Sequence, residues 1–174
     1  MDVRGSGNRH RSGWWPLRIA AATGLLHAAV SLFWALGGRW QLESVGDWAV
    51  QLADDHPVEA GLGLTLVALV KGAVAIVPLV NERRKTRYYR WIRFLGWSAG
   101  VVLVAWGGVS TLSAWAVLTG VITPTGGYDR ETMIGHGLLW DPLFTIWGCA
   151  LLIGLWCSRN RTHVTTEQTS RLSR

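Results

Sequence analysis

Four long apolar stretches almost free of charge divide this chain, and clusters of polar and basic residues separate them. They run over about residues 17–38, 58–80, 94–121 and 131–157, the last starting somewhere between Glu131 and Gly137. Each reaches the roughly 20 residues needed to cross the hydrocarbon core of a bilayer as a helix. The composition agrees. Only 16% of residues are charged, against about 25% in soluble domains, and twelve are Trp, a side chain favoured at membrane–water interfaces. The expected fold is an all-α membrane protein, a bundle of four transmembrane helices.

Orientation follows from where the cations lie. The segment through Arg18 carries four Lys/Arg, residues 81–93 six and the C-terminal tail four, whereas the two other loops carry one each, Arg39 and Arg130. Basic residues mark the cytoplasmic side, so both termini and the middle loop are expected inside (N-in/C-in). Residues 1–16 and 158–174 read as disordered cytoplasmic tails. The first span exceeds the core of a signal peptide and no A-x-A site follows it, so it is read as a retained span. The net charge of +6 is explained by this flanking pattern, and no nucleic-acid partner is expected. The basic run 81–93 is a candidate contact for anionic lipid. Trp40 and Trp48 are expected as interface anchors. Cys149 and Cys157 lie eight residues apart in one span, about 12 Å of helical rise, too far for a disulfide.

Lipid gives helices no hydrophobic reason to associate, so small residues mark the faces that touch. Span one carries Ala20, Gly24, Ala28, Ser31, Ala35 and Gly38 at helical spacing; span two Ala68, Gly72 and Ala75. Span three carries Gly96, Gly100, Gly107 and Thr111; span four Gly137, Asp141, Thr145 and Gly148. Three ionisable residues fall inside spans: His27, Lys71 and Asp141. A charge at mid-bilayer costs about 2.5–3.5 kcal/mol or more, so such groups normally face the interior and find partners. By helical rise, His27 and Lys71 are level near mid-membrane, and Asp141 stands about one to two turns nearer the outer side. That predicts a loose network joined by water, Ser31 or Thr145 rather than a direct Lys71–Asp141 pair. Each residue has a structural alternative: Lys71 snorkelling to an interface, His27 a neutral packing residue, Asp141 a helix cap before Pro142 or the mark of a proline kink.

Two blocks carry a resemblance. One is His27-Ala28-Ala29-Val30-Ser31-Leu32-Phe33-Trp34-Ala35-Leu36-Gly37-Gly38 with Trp40 and Val45-Gly46; the other is Gly135-His136-Gly137-Leu138-Leu139-Trp140-Asp141-Pro142-Leu143-Phe144 with Trp147-Gly148. Together they resemble the uncharacterised bacterial four-span membrane proteins called domain of unknown function 3995, over roughly residues 17–157. The resemblance implies a multi-pass protein of the bacterial cytoplasmic membrane. It implies no activity, substrate or catalytic residue.

There is no HExxH, no Ser-His-Asp order and no zinc-type His pair at i, i+4. No catalytic residue, metal or cofactor is therefore expected, and enzyme action on a lipid or quinone is the least favoured reading. The favoured one is a structural or accessory membrane protein whose polar residues fix helix register. Its alternative binds or transports a small molecule or lipid in an outward-facing polar pocket between spans one, two and four. The candidate lining is His27, Ser31, Trp34, Lys71, His136, Trp140 and Asp141. Four spans make a thin transporter, so transport would call for a homo-oligomer or a larger membrane partner.

Overall fold

A computed structural model describes residues 14–159 and is helical throughout its long elements. In chain order these are α1 (Trp14–Ala35), α2 (Asp47–Asp55), α3 (Pro57–Arg84), α4 (Tyr89–Leu118), α5 (Arg130–Ile134) and α6 (Asp141–Arg159). A π-helical stretch, Gly135–Trp140, joins α5 to α6. Four helices are long and apolar enough to cross a membrane: Trp15–Ala35, Pro57–Arg84, Tyr89–Leu118 and the composite Arg130–Ser158. Apart from residues 14–16 and 158–159, the two expected tails lie outside the described residues.

The ends of the spans have local causes. α1 stops at Ala35, before the expected Gly38, because Gly37 takes φ +90°. Gly37 N–H then bonds the Trp34 carbonyl at 3.0 Å and Gly38 N–H the Phe33 carbonyl at 2.9 Å, a Schellman ending that glycine favours. α3 starts on Pro57 at its first turn, where a missing N–H costs nothing. The fourth span starts at Asp129, whose carboxylate accepts from the Glu131 and Thr132 amides. Asp141 is therefore not a cap. Pro142 sits inside a continuous helical run, directly after the π-helical turn that accommodates it. A π-helical amide at position 142 would bond the Gly137 carbonyl; proline has none, and Trp115 Nε1–H supplies that bond at 2.8 Å.

Small residues, with Leu17, Trp147, Leu151 and Leu155, fill the interior, while many large apolar side chains face outward. Ala20, Ala28, Ala68, Ala75 and Ala114 are buried, while Leu62, Leu66, Leu69, Trp106 and Leu112 are each at least 63% exposed. Only lipid can cover so large an apolar surface in a monomer. α1 packs between α3 and α6, and α6 packs also on α4. The consecutive helices α3 and α4 touch each other far less than either touches its other neighbour.

The stripes of small residues mostly face helices. A Cβ on Gly24 would lie 2.5 Å from the Trp147 ring and 2.7 Å from Ala75; one on Gly100 would lie 2.7 Å from Leu152. One on Gly107 would lie 2.6 Å from the Asp141 carbonyl. Gly72 departs from its expected stripe, since a Cβ there meets nothing within 4 Å, and Gly38 meets only Phe33 of its own segment.

At the end of the bundle carrying the α3–α4 hairpin, the supposed basic loop shrinks to residues 85–88, because α3 runs through Arg84 and α4 begins at Tyr89. There Glu82, its side chain 3% exposed, is paired with Arg93 and with Lys85 at 3.1 Å. Tyr89 Oη donates to it as well, at 3.1 Å. Arg93 also donates to Ser158 Oγ at 2.8 Å and to the Leu155 carbonyl. The clasp ties the hairpin to the end of α6. Lys85 and Arg93, both within 81–93, are thus engaged internally. The tyrosine and Glu82 hold the Lys85 ammonium above its ordinary range, against the opposing pull of its partial burial.

Candidate functional site

The site is built around α1, where His27, Ser31 and Trp34 share one helical face by their spacing. His27 is 3% exposed. Its ring stacks on Phe144 of α6 with centroids 4.1 Å apart and lies 6.2 Å from each of Trp140 and Trp147. Its Nε2 has no hydrogen-bond partner among the described residues. One turn along, Ser31 accepts a hydrogen bond of 2.9 Å from Lys71 Nζ of α3. The same ammonium stands 5.2 Å from the centroid of Phe144. Lys71 thus points into the bundle and does not snorkel away, and no carboxylate among the described residues lies within ion-pair distance of it.

The second half of the site comes from the fourth span. His136 lies in the π-helical stretch and Asp141 just beyond it. In this wider turn residues five apart meet: His136 Nδ1 lies 2.9 Å from Asp141 Oδ2, and Asp141 is 1% exposed. The other ring nitrogen, Nε2, is 3.3 Å from the Val45 carbonyl. Both neighbours of this ring are oxygens. A proton therefore bridges His136 and Asp141 whichever of them formally owns it.

The segment between α1 and α2 closes the end of the site away from the hairpin. Trp34 Nε1–H bonds the Trp40 carbonyl at 2.8 Å, and Trp34 meets Trp140 edge-on at 5.3 Å. Trp140 Nε1–H bonds Ser44 Oγ at 2.9 Å, and Ser44 in turn donates to the Gln41 carbonyl at 2.7 Å. Gly135 gives Ser44 room, since a Cβ there would collide with it. Trp40 and Trp48 themselves are exposed.

Between these groups lies a cavity of about 130 Å³, lined by all seven residues singled out in the sequence: His27, Ser31, Trp34, Lys71, His136, Trp140 and Asp141. Val30, Val45, Trp106 and Phe144 complete the lining. Trp106, His136 or Asp141 also line, in different parts, a larger apolar groove of about 600 Å³ along α4 with Val109, Ala114 and Met133. The arrangement differs from the expected network. Lys71–Ser31 and Asp141–His136 are two separate hydrogen-bonded halves across a cavity, and Thr145 Oγ1 donates to the Asp141 backbone carbonyl at 3.1 Å instead of bridging side chains.

Sequence reasoning passed over Phe144 and Trp106. Both are apolar and lie in apolar spans, so only their position four residues after Trp140 and nine residues beyond Trp97 could have been noted, and neither spacing is a signal. It also passed over Glu82, the one acidic residue in the basic run 81–93, where an isolated opposite charge was the available clue. The two cysteines are free, and no cluster of three or more metal-ligating side chains exists among the described residues.

The chain belongs to a family described as proteins of unknown function (DUF3995), whose model matches residues 24–151. The matched segment contains every residue of the cavity and excludes both chain termini. No curated protein and no solved structure matches the chain.

Proposed function

We propose that this member of an uncharacterised family is an intramembrane binding protein, which holds the polar part of a small, membrane-dissolved molecule in the cavity between α1, α3 and the fourth span. One observation carries the reading: Lys71. Its ammonium has a neutral hydroxyl and an aromatic face for company, and it borders a cavity. A cation in a span costs several kcal/mol on most scales. A role confined to helix register would be served by pairing it with a carboxylate or by a hydrophobic residue of similar size. This places binding ahead of the structural or accessory role that the sequence favoured.

Access is from the lipid side. The 36–46 segment covers the end away from the hairpin through Val45, Ser44 and Trp40. Trp106, 67% exposed, is part of the cavity lining and lies on the apolar outer surface. A lateral mouth is part of the proposal, in place of the expected outward-facing one. The reading includes a bacterial cytoplasmic membrane, with the hairpin and both termini on the cytoplasmic side. It rests on the basic residues gathered at that end. Exposed Arg84, Arg87 and Arg90 would there meet anionic headgroups, at about 1 kcal/mol each.

The test is extraction of the purified full chain, followed by mass spectrometry of what it carries. The wild type should retain a small molecule that Val30→Phe, which fills the cavity wall, does not. Identical extracts from the two proteins would refute the reading.

A further inference from the structure

The two ends of the cavity make opposite demands on a ligand. At one end Lys71 can only donate hydrogen bonds, and only one of its three N–H groups is taken, by Ser31. At the other, Asp141 shares a proton with His136 through one oxygen, and its carboxyl group has acceptor capacity beyond that. Between the ends the walls are flat: Trp34, Trp106, Trp140, Phe144 and the His27 ring. The volume of about 130 Å³ is close to the roughly 150 Å³ that accommodates a benzene ring.

Resting on the binding reading above, we propose that the cavity takes the ring of a lipid-soluble para-hydroquinone, one oxygen accepting from Lys71 and the opposite hydroxyl donating to Asp141.

Simple alternatives meet one end and offend the other. A fatty carboxylate would satisfy Lys71 but would bring a second negative charge into a cavity lined by Asp141. A quinone offers acceptors at both ends, and its second carbonyl would face a carboxylate. A zwitterion matches both charges but must shed its hydration to pass an apolar mouth, which is costly without full compensation. A hydroquinone is neutral, planar, and a donor and an acceptor at opposite edges. The Lys71 ammonium, held at Ser31, and the Asp141 carboxyl line the same cavity, so one ring is asked to meet both. An alkyl tail on the ring has the groove along α4 to follow. No redox step is part of the proposal.

The experiment is anaerobic calorimetric titration of the detergent-purified full chain with durohydroquinone, duroquinone, decanoate and glycine betaine. Full ring substitution prevents addition of the free cysteines to either ring compound. Durohydroquinone should bind saturably, at least tenfold tighter than duroquinone, and Lys71→Met and Asp141→Asn should each weaken it at least tenfold. Lys71→Gln, which keeps a donor, serves if Lys71→Met does not fold, and should weaken binding less than Asp141→Asn. Equal or tighter binding of duroquinone overturns the proposal, as does indifference to both substitutions. Lys71-dependent binding of decanoate or glycine betaine without durohydroquinone overturns this assignment and leaves the binding reading standing. If no probe binds and the extracts of wild type and Val30→Phe are the same, both fall.

Discussion

Gly148→Ala is the sharpest probe of how this bundle is held together. A Cβ at Gly148 would lie 2.8 Å from the Gly100 carbonyl, 2.8 Å from Val104 Cγ2 and 2.9 Å from Leu103 Cβ. Val104 Cγ2 rotates only at a cost, Leu103 Cβ is fixed by its backbone, and the third atom is backbone of the facing helix. Relief to ordinary contact asks α4 and α6 to move apart by about half an ångström or more, which loosens packing along their whole shared face. Overpacking of this kind costs about 1–3 kcal/mol. It is offset in part by the gain of up to about 1 kcal/mol from replacing glycine by alanine in a helix. The net expectation is a loss of about 1–2 kcal/mol, or roughly 2–8 °C in melting temperature for a chain of this size. Gly72→Ala is the matched control: a Cβ there meets nothing within 4 Å, so only the propensity gain remains and melting should be unchanged or higher. The assay is thermal unfolding in detergent, followed by far-UV circular dichroism. If Gly148→Ala melts at or above Gly72→Ala, the close α4–α6 approach does not hold the protein together, and the small-residue argument fails.

Three further expectations follow from the polar groups. Glu82→Gln should lower stability by about 3 kcal/mol, because it leaves half-buried Arg93 without its counter-charge, whereas exposed Arg84→Gln should change stability by less than about 0.5 kcal/mol; equal effects would refute the clasp. In double-mutant cycles of unfolding, Lys71→Met and Asp141→Asn should add within about 0.5 kcal/mol, since no hydrogen bond joins them, while His136→Phe and Asp141→Asn, 2.9 Å apart in their parent groups, should not. Asp129, held below the ordinary carboxyl range first by the Thr132 hydroxyl and then by the Thr132 amide, contributes stability above its unfolded pKa of about 3.9 that is lost as pH falls through its lower folded value; Asp129→Ala should therefore remove part of the acid limb of a melting-versus-pH curve, and an unchanged limb would show that the cap is idle.

What could be read from sequence, and what could not, divides along a physical line. Span existence depends on a property summed over about 20 residues, so the four long helices were legible. The seven cavity residues were legible because each is polar or amphipathic where lipid penalises it, and such residues turn inward. Pairing was not legible. Axial rise alone puts Asp141 above Lys71 but gives no azimuth, and the azimuth is what sends Lys71 to Ser31 and Asp141 to His136. The hairpin misled for a related reason. Charge counting treats Lys85 and Arg93 as loop cations, although a single buried glutamate, Glu82, had already claimed both.

The π-helical stretch explains why an imidazole and a carboxylate five residues apart can share one proton. In an α-helix positions five apart are rotated by about 500°, some 140° round the axis, and their side chains diverge. Widening the turn to an i→i+5 pattern brings them to the same face. Pro142 is the cause at hand: it cannot supply the amide that would hold a regular turn, and Trp115 from α4 takes its place on the Gly137 carbonyl. Gly137 itself must be small, because a Cβ there would lie 3.0 Å from the Trp115 ring. Trp115, Gly137 and Pro142 therefore act as positioning residues for His136 and Asp141 without lining the cavity. Trp115→Phe keeps an aromatic side chain but removes the N–H with the five-membered half of the indole. It should leave the Gly137 carbonyl unpaired at about 1–3 kcal/mol and relax the turn. Chemical-shift perturbation of labelled His136 on Trp115→Phe is the measurement, with the wild-type shift retained in the control Trp91→Phe, at an exposed tryptophan beside the hairpin. An unmoved His136 signal in Trp115→Phe would show that the turn holds its shape by other means, and that Pro142 alone sets the geometry of the pair.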